Sequence, residues 1–165
     1  MLTQARLKEL LTYDAATGVF TRNVARGNKP AGAATGTQNN GYLSTRCDGR
    51  GYFNHRLAWL YVYGCLPDLQ VDHINRDKKD NRICNLRLAT ASQNQHNARA
   101  RTDSTTGIKG VTWTKSGKLK AQICVRGERT ILGYYPTLVE AAAAYASAAD
   151  RLHGDFARAD RIHLD

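Results

Sequence analysis

The segment from Val71 to Asn97, VDHINRDKKDNRICNLRLATASQNQHN, constrains this chain most, because it reads as strand, polar loop, strand and helix in succession. Asp72 and His73 are adjacent near the end of the apolar run Leu69 to Ile74, which reads as a short strand. Successive side chains of a strand point to opposite faces, so the two groups can approach a ligand from different sides. Asn75 to Arg82 is dense in Asp, Asn and Lys, the composition of a turn-rich loop. Asn85 to Leu88 alternates with Leu86 and Leu88 on one face, and Thr90 or Ser92 can cap a polar helix from about Ala91 to Arg99. That helix carries Asn94 and Asn97 one turn apart, whereas His96, two residues from Asn94, turns roughly 200° away. Asn94 and His96 therefore cannot both face one metal ion.

This segment resembles the ββα-metal core of HNH endonucleases, specifically the phage and intron homing type whose third signature residue is Asn. HRLAWLYVYG, His55 to Gly64, resembles the helix that leads into that core. The resemblance implies that His73 is the general base, that Asp72 and Asn94 hold a metal ion, with His96 and Asn97 the competing candidates for the third position, and that Asn85 braces the loop and orients His73. The residue types suit those roles. A neutral imidazole, with an unperturbed pKa of about 6.5, can take a proton from water at cellular pH. A carboxylate and an amide carbonyl are hard oxygen donors, which suit Mg²⁺ or Mn²⁺. An isolated Asp-His pair is most often a surface turn, but here Asn85 and Asn94 stand at the matching offsets. His55 is read as a packing or hydrogen-bonding residue at the start of its helix.

A net charge of +10 and a pI near 9.7 imply an electrostatic preference for polyanions. Met1 to Gly64 holds eight basic and three acidic residues, and Arg99 to Arg129 eight and two, so the basic excess lies on both sides of the Asp-His segment. Four cysteines, Cys47, Cys65, Cys84 and Cys124, lie at least seventeen residues apart with no C-x-x-C pair, so no structural zinc is expected. No apolar stretch has the length of a membrane span and no signal-peptide pattern opens the chain, which predicts a soluble, cytoplasmic protein with no membrane partner.

In the N-terminal part, Leu7, Leu10 and Leu11 predict a helix over Thr3 to Thr12. A turn follows at Asp14 to Gly18 and a strand at Gly18 to Arg22. Asn28 to Gly41 is rich in Gly, Ala and Asn and reads as a loop. Gly41 to Cys47 and Gly51 to Asn54 alternate about Asp48-Gly49, a hairpin signal. Arg22, Arg46 and Arg50 decorate this small sheet as candidate phosphate contacts.

Past Arg99, Ala100 to Gly107 reads as a linker. Strands are then predicted at Gly110 to Lys115, Leu119 to Val125 and Thr130 to Tyr135, and an Ala-rich helix opens at Pro136-Thr137 and ends at Gly154. GVTW, KLKAQI, LGYY and the EAAAAYASAADRLHG helix resemble the plant ethylene-response-factor DNA-binding domain. Thr112 and Thr114 stand where that family has its DNA-reading arginines, so its base preference does not carry over. With Val111, Ala121, Ile123 and Val125 toward the helix, period 2 puts Thr112, Thr114, Lys120, Gln122 and Cys124 on the opposite face. That face fits the major groove, while Lys109, Lys118, Arg126 and Arg129 at strand ends suit phosphates. Trp113 is read as a core or edge residue rather than a base-stacking one.

The expected chain is thus α+β, with an N-terminal basic β/α subdomain (1–64), the ββα-metal core (65–100), a linker (101–106) and a three-stranded antiparallel sheet packed on one helix (107–165). Its expected function is site-specific, metal-dependent cleavage of double-stranded DNA, as a nick because there is one catalytic centre per chain. A monomer is expected, and a dimer would allow both strands to be cut. The rival readings are a DNA-binding regulator with a decayed core and a weakly specific phage accessory nuclease.

Overall fold

The computed structural model describes residues 1–97, 100, 103–125 and 127–157. The chain is α+β, as expected, with several small antiparallel sheets and two compact units, Met1–Thr90 and Ala91–Asp165. Among the described residues no helix is long and apolar enough to cross a membrane.

In the first unit, α1 (Gln4–Leu10) is capped by the Thr3 hydroxyl, which accepts from Arg6 N–H at 3.2 Å. The helix predicted through Thr12 stops earlier, because Leu11 already takes an extended backbone as the first residue of β1 (Leu11–Asp14). β1 pairs with β2 (Val19–Arg22), which pairs with β3 (Ala34–Thr35). β4 (Thr37–Asn39) pairs with β5 (Tyr42–Cys47), and β5 with β6 (Arg50–Phe53). The stretch 28–41, read as a loop, therefore contributes β3 and β4. Both strands are short and polar, so no hydrophobic alternation marks them.

α2 (Asn54–Tyr63) follows β6 directly and ends at Gly64, whose φ of 84° suits a left-handed C-cap. β7 (Gln70–His73) and β8 (Leu86–Ala89) form a two-stranded ribbon in the register Asp72 to Arg87 and His73 to Leu86. Val71 and Leu86 belong to the same buried cluster as Leu7, Leu11, Phe20 and Leu57. One core thus joins the segments that the sequence divided at residue 64. Inside it, Thr45 Oγ1 donates to Asn54 Oδ1 at 2.9 Å and Asn54 Nδ2 to the Thr35 carbonyl at 3.4 Å. Asn54 is only 1% exposed, and these bonds offset the cost of burying its amide.

The second unit opens with α3 (Ala91–Asn97); the helix was expected to run to Arg99, which lies outside the described residues. β9 (Val111–Trp113), β10 (Leu119–Val125) and β11 (Glu128–Tyr135) form an antiparallel sheet with β10 central, backed by α4 (Leu138–His153). The Ala141, Ala142, Ala148 and Ala149 side chains of α4 pack against Val111, Ala121 and Ile123. Gly110 is obligatory here, since a Cβ on it would lie 2.2 Å from Tyr145 Cε2 and 2.5 Å from the Gln122 carbonyl, at a φ of +74°.

Candidate active site

The site is built on the ribbon of β7 and β8 and the loop between them. Asp72 and His73 are 6% and 4% exposed, so both lie much deeper than a surface turn would place them. Arg87, opposite Asp72 on β8, donates from Nε and Nη2 to Asp72 Oδ2, each at 3.0 Å. This charge-assisted pair orients the carboxylate from the neighbouring strand.

His73 is held from several sides. Its Nε2 lies 3.3 Å from Asn81 Oδ1, while Asn81 Nδ2 donates to the Lys79 carbonyl at 3.0 Å. Because the second bond uses the amide nitrogen, Asn81 turns its oxygen to the imidazole. Nε2 therefore carries the proton and Nδ1 the lone pair. The imidazole also meets the His55 ring edge-to-face, with centroids 5.1 Å apart, and lies 6.0 Å from the Tyr42 ring. His55 in turn stacks on Phe53 at the start of α2. Burial lowers the pKa of His73, and the Asn81 contact opposes that only in part, so the ring is neutral at cellular pH. Burial drives His55 further down, to about 3, with the neighbouring His73 adding to the effect. The His55 Nδ1 is buried without a hydrogen-bond partner.

The loop is closed by Asn85, whose Oδ1 accepts from Asn75 N–H at 2.9 Å. Its Nδ2 donates to Asn75 Oδ1 at 2.9 Å and to the Asp80 carbonyl at 2.8 Å. The Asn85 side chain thus spans the loop, and the Asn81 side chain hydrogen-bonds His73. Asp80 caps the arrangement through Asn75 and Arg82, and the Arg82 guanidinium holds its carboxyl down at about 2. The loop rests on the N-terminal hairpin. Tyr13 Oη donates to the Asn81 carbonyl at 2.7 Å, and Gly18 lies so close that a Cβ there would be 2.4 Å from Arg82 N.

Asn81, Arg87 and Tyr13 escaped the sequence reading. Asn81 sits in a polar run with Asn75, Asp77 and Asp80, all turn formers, and nothing in the sequence separates it from them. Arg87 was accessible in principle, since the strand register places it opposite Asp72. Asn94 lies on α3 in the second unit, and the His96 side chain lies outside the described residues. Among the described residues no group of three or more His, Cys, Asp and Glu side chains is placed to hold a metal ion. Any ion here would draw on one carboxylate, amide oxygens, water and substrate phosphate, a hard-oxygen set that fits Mg²⁺ better than structural zinc.

Arg22 and Arg46 line clefts of the first unit, whereas Arg50 is exposed at the start of β6. In the second unit Thr112, Lys120 and Gln122 share the face away from α4, joined by the exposed Ile131 and Tyr134. Thr114 departs from its expected place. It lies past the end of β9, where its hydroxyl donates to the Lys118 carbonyl at 2.8 Å and accepts from Lys118 N–H at 3.1 Å, closing the turn. Lys109 Nζ donates to the Gln95 carbonyl at 2.6 Å. Arg129 is exposed on β11, and Arg126 lies outside the described residues. Trp113 is on an edge strand, as read, but is 53% exposed rather than part of a core, because β9 ends there.

Residues 52–96 match the HNH endonuclease family. The chain is 34% identical over 110 residues to a mimivirus protein named Uncharacterized HNH endonuclease L560, covering 66% of this chain and 57% of that protein. It is 28% identical over 106 residues to Protein 3.8 of Escherichia phage T7, covering 63% of this chain and 87% of that one. No solved structure matches.

Proposed function

We propose, from the match of residues 52–96 to HNH endonucleases, that this chain is a metal-dependent endonuclease that hydrolyses phosphodiester bonds of double-stranded DNA at preferred sites, in the manner of a homing-type nicking enzyme. The observation that carries the reading is His73: buried, neutral, and held by Asn81 so that Nδ1 is the acceptor, next to the carboxylate of Asp72. In this reaction His73 Nδ1 takes a proton from water, the water oxygen forms a bond to phosphorus, and the bond to the 3′ oxygen breaks. Arg87 keeps the Asp72 carboxylate oriented and Asn85 keeps the loop closed. As the resemblance implies, Asp72 and Asn94 would hold a divalent ion, Mg²⁺ or Mn²⁺, which would supply charge neutralisation for the hydrolysis. Thr112, Lys120 and Gln122 then serve as the reading face of an ethylene-response-factor-like module, with Lys109, Lys118, Arg126 and Arg129 toward the backbone and Arg22, Arg46 and Arg50 as further phosphate contacts. Thr114 enters this role only if its turn opens.

The test is cleavage of a random-sequence duplex library with Mg²⁺, Mn²⁺ or chelator, followed by sequencing of the ends. Metal-dependent nicks at a shared motif are expected, with Asn94→Ala inactive and Asn94→Asp partly active. Cuts scattered over all sequences would assign a weakly specific nuclease, and binding without cutting under every ion would assign a regulator.

A further inference from the structure

Away from the β7–β8 ribbon, the first unit concentrates positive charge in one place. Arg22, Arg26, Lys29 and Arg46 line adjoining concavities, each of which includes both Arg22 and Arg46. Arg26 and Lys29 are the two ends of a tight turn, joined by reciprocal backbone hydrogen bonds of 2.9 and 3.2 Å. Like charges directly opposite each other in such a pair are destabilising. The turn is also drawn toward β5, because Arg26 Nη1 donates to the Arg46 carbonyl at 3.2 Å.

The charge is only partly offset from within, by the Asp48 carboxylate, which Arg6 first and Arg26 from further off hold below the usual carboxylate range. Among the described residues no carboxylate lies within ion-pair distance of these four cations. Asp48 lines the same region, but both its oxygens accept from Arg6, each at 3.0 Å. Arg22 spends Nη2 on the Thr35 hydroxyl at 3.4 Å, while its Nε is buried with no hydrogen-bond partner. A buried N–H without an acceptor costs stability, and guanidinium groups gathered around a polar cleft suit an anion with several oxygens. The remaining lining is polar, with Thr37, Gln38, Asn39 and Ser44.

We propose that this cleft clasps a backbone phosphodiester of the bound DNA, as an anchor that is separate from the catalytic ribbon and indifferent to base sequence. The proposal rests on the nuclease reading for its ligand. It adds Arg26 and Lys29, which the sequence did not single out, and makes them act with Arg22 and Arg46.

The experiment uses the full chain and a duplex of about 30 base pairs in chelator, so that nothing is cut, with Kd measured from 50 to 300 mM NaCl. Each neutralised phosphate contributes about 0.9 to the slope of log K against log salt. The double variant Arg26→Gln/Lys29→Gln should lower that slope by about one and weaken cognate and random duplexes alike by about tenfold, whereas Lys8→Gln should leave the slope unchanged. Arg22→Gln/Arg46→Gln should do the same. If that variant fails to fold, the Arg26/Lys29 pair on its exposed turn still decides. An unchanged slope in the Arg26/Lys29 variant overturns the proposal. So does inorganic phosphate displacing DNA from wild type, but not from this variant, at an ionic strength where chloride does not, since the cleft would then be a free-phosphate site. Wild type that binds DNA with the expected slope but cuts under no divalent ion overturns the nuclease reading and leaves the cleft standing.

Discussion

At the scale of single residues, the proposed reaction depends on how His73 is buried and held by Asn81. His73→Ala should reduce cleavage by about 10²- to 10⁴-fold, the usual contribution of a general base, and change DNA affinity by no more than a few-fold. Asn81 acts through His73, so Asn81→Ala should lower kcat by about 10- to 100-fold with little change in KM, as expected when the partner that orients a working group is lost. Single-turnover rates beside equilibrium binding would check both; an Asn81→Ala variant with normal kcat would remove the residue from the mechanism. His55 has a different consequence. Its folded pKa, about 3, lies below its unfolded value, so between pH 6.5 and 3 the unfolded chain binds a proton that the folded chain refuses. Its stabilising contribution is therefore complete above pH 6.5 and is lost on acidification, at about 1.4 kcal/mol per pH unit, with His73 acting in the same direction. Urea unfolding at pH 7 and pH 5 should show wild type losing more stability than His55→Gln. Equal losses would mean that His55 is readily protonated in the fold.

At the scale of elements, the loop between β7 and β8 is held by a hairpin distant in sequence. Gly18 closes the turn between β1 and β2 at a φ of +74°, against the backbone of Asn81 and Arg82. Gly18→Ala should cost about 2 kcal/mol or more, combining left-handed strain with a clash against backbone that cannot rotate away. Cleavage should fall further than stability explains, because the displaced segment carries Asn81; denaturant unfolding and activity at a temperature where the variant stays folded would separate the two. In the sheet of the second unit, a β-bulge between Ala121 and Gln122 leaves Leu132 as the extra residue of β11, packed toward the core, and returns Ile131 to the exposed face. The alternation in Thr130 to Tyr135 did not announce this shift of register.

At the scale of the whole molecule, the proposed division of labour between cutting and reading predicts different losses from changes in the second unit. Gln122→Ala should cost about 1 to 3 kcal/mol on the preferred site and relax specificity at one position, whereas a phosphate contact such as Lys118 should weaken all sequences and reduce the salt slope by about one. Competition binding with preferred and random duplexes distinguishes them; equal effects of Gln122→Ala on both would sink the reading-face assignment. The strands that carry Asp72–His73 and Leu86–Leu88, and the polar loop between them, were legible without a structure, because short-range patterns encode them; the roles of Asp72, His73 and Asn85 came from the resemblance alone. The helix-facing residues of the C-terminal sheet were legible for the same reason. Only the tertiary structure decided that Asn81 hydrogen-bonds His73, that Tyr13 reaches the Asn81 carbonyl, and that one core joins Leu7, Phe20, Leu57, Val71 and Leu86. These are contacts between segments up to 68 residues apart, as in the bond from Tyr13 to Asn81, and no local period or turn preference carries that information.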